Sequence, residues 1–118
     1  MNERVERVEL MVVSRFRVPE RPEAAVAQFR DAAQVALAAL AARPGYVDGH
    51  VGRNVDEPDL WLLTTAWANV GSYRRALSAY DVKTTAVPLL SKAVDEPSAY
   101  ETVTGKGSEN EQRPRGLD

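Results

Sequence analysis

No cysteine occurs in the chain, which excludes disulfides, cysteine nucleophiles, thiolate-ligated haem and cysteine zinc sites. There is one histidine, His50, so an all-histidine metal site cannot be built within a single chain. A basic excess is also missing. The 15 Lys and Arg against 17 Asp and Glu give a net charge of −2 and a pI near 5.5. That balance offers no electrostatic footprint for nucleic acid or for an anionic membrane. No apolar run approaches the ~20 residues that span a bilayer. The opening MNERVERVEL lacks the apolar centre of a secretory signal. The expectation is a soluble, cytoplasmic domain. At 118 residues it is one domain, long enough to bury roughly two-thirds of its unfolded surface.

What is present reads as alternating strands and helices. Residues 8–18 (VELMVVSRFRV) are β-branched and apolar with interspersed charges, which predicts a first strand. Leu10, Val12, Ser14 and Phe16 share one face, while Met11 and Val13 make the other face apolar too. Residues 22–42 are alanine-rich, with Val26, Phe29, Ala33, Leu37 and Leu40 at helical spacing. Pro22 suits the first helical position, and Glu23 puts a negative charge near the positive end of the dipole. Arg43-Pro44-Gly45 ends the helix.

A hairpin follows. Tyr46, Asp48 and His50 alternate with Val47, Gly49 and Val51, predicting a polar and an apolar face. Asp56-Glu57-Pro58-Asp59 makes the turn. On the return strand Trp61, Leu63, Thr65 and Trp67 share one side, and Leu60, Leu62, Thr64 and Ala66 the other. Asn69 caps a short helix to about residue 79, and Asp81 caps a further helical piece interrupted before Pro88. Residues 98–103 form the last strand. Residues 1–104 are expected to be the folded domain, and 105–118, without apolar periodicity, a disordered tail.

The order is β-α-β-β-α-β, an α+β, ferredoxin-like arrangement with a four-stranded antiparallel sheet. Helices cover one face. Strands apolar on both sides imply that the other face meets a second copy, so a homodimer is expected.

The hairpin, in this element order, resembles the antibiotic biosynthesis monooxygenase (ABM) family of dimeric α+β barrels. The residues that carry the resemblance are Pro44-Gly45-Tyr46, Arg53, Asp56-Glu57-Pro58 and Trp67, and it covers about residues 8–103. The family includes quinol oxidation, oxygenation of polycyclic polyketides, haem degradation and members of no known activity. The haem-degrading branch has an asparagine on the first strand and an iron-ligating histidine on the late helical segment. Ser14 stands at the first place, and Val82-Lys83-Thr84-Thr85-Ala86 has no histidine. Haem would then need an unusual tyrosine ligand such as Tyr80, and haem degradation is not expected.

The cofactor-free branch implies a different use of the fold. An electron-rich phenol or hydroquinone is deprotonated and passes an electron to oxygen, so no cofactor is expected. The resemblance makes His50 the proton acceptor, Tyr73 and Asn69 donors to substrate oxygens, and Trp67 an aromatic wall. Ser14 and Phe29 would complete the substrate-binding lining around a small aromatic molecule. The family's acidic residue two positions before the tryptophan is Thr65 here. Each residue also has a packing reading: Trp67 as core, Asn69 as helix cap, His50 as a surface or interface residue, Ser14 as a hydroxyl bonded to backbone. Arg74 and Arg75 read as a solvated face. The alternative is therefore a non-catalytic dimeric protein that binds a small ligand or is structural, with a cyclase or isomerase as a third choice.

Overall fold

Alternation in LMVVSRFR decides the first element. In the computed structural model, which describes residues 7–105, β1 (Leu10–Arg17) buries Leu10, Val12, Ser14 and Phe16 and leaves Met11 and Arg17 exposed. The α1 helix (Glu23–Ala41) lays Phe29, Ala33, Ala36 and Leu40 on that buried face, with Val26 and Leu37 packed at its flanks. Leu40 is 1 % exposed, so truncation to alanine would cost about 2–5 kcal/mol. Pro22 is one step earlier than its composition suggests. It is the extended N-cap, at φ −71° and ψ 158°, rather than the first helical residue.

The chain then turns at Gly45, whose φ of +90° suits only glycine. A Cβ at Gly45 would also collide with the side chain of Ser72, which is buried. β2 (Tyr46–Arg53) and β3 (Leu60–Trp67) follow as an antiparallel hairpin. Its turn is organised by Asn54, whose Oδ1 accepts from the backbone N–H groups of Asp56 at 2.8 Å and Glu57 at 2.7 Å. Arg17 reaches across from β1 to Glu57 and Asp59.

Strict alternation fails in β2. Tyr46 pairs with Trp67, but Asp48 pairs with Ala66, so Val47 is the extra residue of a β-bulge. The bulge puts Tyr46 on the helix-facing side, edge-to-face with Trp67 at 5.5 Å between ring centroids. Asp48 and His50 lie opposite Ala66 and Thr64 on the other face. The expected grouping of Tyr46 with Asp48 and His50 is therefore corrected.

After β3, Asn69 caps α2 (Val70–Leu77), its Oδ1 accepting from Ser72 N at 2.8 Å. Two short helices, α3 (Tyr80–Thr85) and α4 (Val87–Leu90), follow with Pro88 in the first turn of α4. Asp81 is not the cap of α3. Ala79 holds that position and Asp81 sits in the first turn, where its charge still favours the dipole. β4 is shorter than expected, Ala99–Glu101. Thr102 ends it by donating from Oγ1 to Val8 O at 2.6 Å.

The sheet order is β2-β3-β1-β4, antiparallel throughout, and the architecture is α+β and ferredoxin-like. The core lies between sheet and helices, from Phe16, Phe29 and Trp61 at one end to Trp67, Ala76 and Val82 at the other. On the opposite face Met11 is exposed, and Val13, Leu62 and Ala66 are half-buried. No helix among the described residues is long and apolar enough to cross a membrane. The tail expected at 105–118 falls, from residue 106, outside the described residues.

Candidate functional site

Half-open clefts border the core among the described residues; of the sequence-predicted site residues, Ser14 and Tyr73 line the first and none lines the second, between α1 and β2. The first lies where β1, α2 and the segment after α4 converge. It is about 300 Å³, and its lining includes Ser14, Tyr73, Leu90, Asp95, Glu96 and Ser98. The segment is drawn against β1 by two backbone bonds, Val94 N to Arg15 O and Val13 N to Ser98 O, each 2.7 Å. Arg15 adds a bidentate grip on Glu96, with Nε to Oε2 at 2.6 Å and Nη2 to Oε1 at 2.5 Å. That hydrogen bond and charge hold the Glu96 carboxyl below the usual carboxylate range.

Two hydroxyls of this cleft are uncommitted. Ser14 is 5 % exposed, and neither its Oγ nor the Tyr73 hydroxyl has a hydrogen-bond partner among the described residues. Burial pushes the Tyr73 phenol above its ordinary value, which keeps it a neutral donor at physiological pH. Behind Tyr73 stands Trp67, with ring centroids 5.5 Å apart. Trp67 is fully buried, and its indole N–H donates to Thr65 Oγ1 at 2.8 Å. Thr65, where the resemblance led one to look for an acid, is thus the acceptor that makes a buried indole affordable.

The remaining predicted residues lie elsewhere. Asn69 is exposed and committed to capping the helix that carries Tyr73. Phe29 packs between Phe16 and Trp61, at 5.1 and 5.4 Å. His50 faces away from the helices, with its Nε2 3.1 Å from Asp48 Oδ2 and its side chain 71 % exposed. One chain therefore brings Ser14 and Tyr73 together, sets Trp67 behind them, and keeps His50 on the other side of the sheet. Tyr80 is exposed on α3. Asp95 and Glu96 enter the cleft although the sequence presents them only as an Asp-Glu-Pro turn; the signal is that the turn directly precedes a strand pairing with β1. No group of three His, Cys, Asp or Glu among the described residues is placed to hold a metal ion.

The sequence profile of the family described as antibiotic biosynthesis monooxygenase matches residues 10–86. The chain belongs to the ABM family. No curated protein matches it, but solved structures do. SnoaB, a cofactor-independent oxygenase from Streptomyces nogalater, is 23 % identical with a TM-score of 0.67, over 83 % of this chain and 96 % of that one. A conserved protein from Methanosarcina mazei Go1 is 21 % identical with a TM-score of 0.63, over 80 % and 93 %. An ABM protein from Nitrosomonas europaea is 14 % identical with a TM-score of 0.62, over 91 % and 100 %. At these identities the likeness is one of fold. It accords with the ABM assignment and says nothing of substrate.

Proposed function

We propose that this ABM-family protein is a cofactor-independent monooxygenase acting on a phenolic, quinol or polyketide-like aromatic. The observation that carries the reading is the Ser14–Tyr73 cleft, with two unpartnered hydroxyls among its lining residues and Trp67 buried behind the Tyr73 ring. A neutral Tyr73 donates a hydrogen bond to the substrate's phenolic oxygen and stabilises the anion as it forms. Ser14 offers a second donor from β1. Asp95, exposed and without a partner among the described residues, receives the proton and returns it to solvent. The phenolate gives one electron to O2, the resulting radicals combine at an activated ring carbon, and water leaves. One oxygen atom stays as a carbonyl and the other departs in water, with the substrate supplying both hydrogens. The chain's part is to bind, orient and hold charge.

His50 belongs in this reading to the uncovered face, through which a second copy pairs; Met11, Val13, Leu62 and Ala66 supply its apolar row. The test is oxygen uptake by the purified chain with an anthrone or hydroquinone, without flavin and with a chelator present. Uptake that scales with protein supports the oxygenase. A non-catalytic ligand-binding protein is the second reading, favoured by the complete commitment of Trp67 to Thr65. It predicts saturable binding of the same aromatic with no oxygen consumed.

A further inference from the structure

The second cleft shares no lining residue with the first. It lies between α1 and the edge strand β2, and is lined by Arg30, Gln34, Val51, Arg53 and Trp61 in about 370 Å³. Arg30 and Gln34 are one turn apart on α1 and so project from one stripe of it. Arg53 and Trp61 are cross-strand partners, and the Arg53 guanidinium sits 5.2 Å from the Trp61 ring centroid.

Arg30, Gln34 and Arg53 are exposed, and the cleft offers donors to which no protein carboxylate is matched. Neither Arg30 nor Arg53 has an ion-pair partner among the described residues. Glu20 and Glu23 border the adjoining hollow, which the same two arginines line, yet neither comes within ion-pair distance of them. Trp61 is 7 % exposed, and its Nε1 is the one buried side-chain nitrogen or oxygen among the described residues with no hydrogen-bond partner. A buried indole N–H without an acceptor is a cost that folded proteins rarely carry. Arginine's planar fork suits carboxylate and phosphate oxygens, and no carboxylate lines the cleft.

We propose that this cleft is an anion site for a phosphate group, inorganic or carried as a monoester on a small molecule. Charge selects phosphate over a carboxylate. Two guanidiniums are matched by a group bearing about −1.5 to −2 at neutral pH, whereas a carboxylate cancels only one. Arg30 and Arg53 grip the oxygens from α1 and β2, and the Gln34 amide adds a neutral donor. A small shift of the Arg53 side chain over the ring gives one phosphate oxygen access to the Trp61 N–H. Val51 accepts the apolar part of an ester.

Two-dimensional 15N NMR of the full chain provides a direct readout, because it has only two tryptophans, Trp61 and Trp67. Titration with inorganic phosphate, against sodium chloride of matched ionic strength, should move the Trp61 indole N–H saturably and leave that of Trp67 in place. Arg53→Gln and Arg30→Gln should each weaken the phosphate response by about ten- to a hundredfold, with the unchanged Trp67 signal reporting an intact fold. Three results would overturn the site: no saturation by about 10 mM phosphate, an equal shift with chloride, or a phosphate affinity in both arginine variants unchanged from the parent's.

Discussion

Replacing Thr65 by valine tests what Trp67 is for. The two side chains are nearly the same size, so no cavity opens and the change is confined to one acceptor. Thr65 is 4 % exposed and Trp67 fully buried, and the bond between them is 2.8 Å. Removing Oγ1 strands an indole N–H where water cannot reach it, which costs about 1–3 kcal/mol. Urea unfolding at a fixed protein concentration should show the midpoint falling by about 1 M with unchanged slope. In a Trp67→Phe background there is no N–H to strand, so the same substitution should be neutral within about 0.5 kcal/mol. A cycle of this kind separates the bond from the size of either side chain. If Thr65→Val costs the same in both backgrounds, the indole N–H is satisfied by something other than Thr65. The packing explanation of Trp67 would then be withdrawn in favour of a ligand contact.

Gly45→Ala combines a φ of +90° with a collision against Ser72, so it should cost about 2–4 kcal/mol by thermal or urea unfolding. Because the Glu96 carboxyl is held below its ordinary value by Arg15, its stabilising contribution is complete above that ordinary value and is lost as pH falls through the depressed one. Acidification should therefore lower the protection of the Val94 amide, measured as its exchange rate relative to the intrinsic rate at each pH, and Glu96→Gln should abolish that acid dependence. Tyr73 is shifted the other way, upward from 10.0 by burial, so its donor proton and the stability tied to it persist below pH 10 and fail only beyond it. An oxygen-uptake profile should accordingly show no alkaline loss attributable to Tyr73 below that value.

Much of this fold is legible in residue pattern. Alternation in β1 and β3 assigns their faces correctly because both strands are central, and a buried face tolerates no slip. The α1 stripe is equally plain, since Phe29, Ala33 and Leu40 meet the sheet at helical spacing. The bulge at Val47 is not legible, because it depends on which backbone groups pair across the hairpin. That single extra residue turns Tyr46 inward and leaves His50 outward. Asp95 and Glu96 look like turn residues until β4 draws them against β1, with Glu96 meeting Arg15 81 residues away in the chain. Arg30, Gln34 and Arg53 read as ordinary surface residues, and only the α1–β2 packing assembles them.

Gly49 illustrates how closely these layers depend on one another. A Cβ there would stand 2.5 Å from the Tyr46 hydroxyl and 2.7 Å from Leu37 Cδ1, so any larger residue would make both side chains shift where α1 approaches β2. The same approach brings Arg30 and Gln34 up to the edge strand.

The most direct test of the central claim compares two variants in one oxygen electrode. With an anthrone or hydroquinone as substrate, and neither flavin nor metal added, Tyr73→Phe should lower the rate of oxygen uptake by about 10²-fold, the loss typical of one donor to a developing anion. His50→Ala, altering a residue on the far face of the sheet, should leave the rate within about twofold of the parent. The reverse pattern, a silent Tyr73→Phe and a collapsed His50→Ala, would contradict the assignment of the Ser14–Tyr73 cleft as the site of reaction.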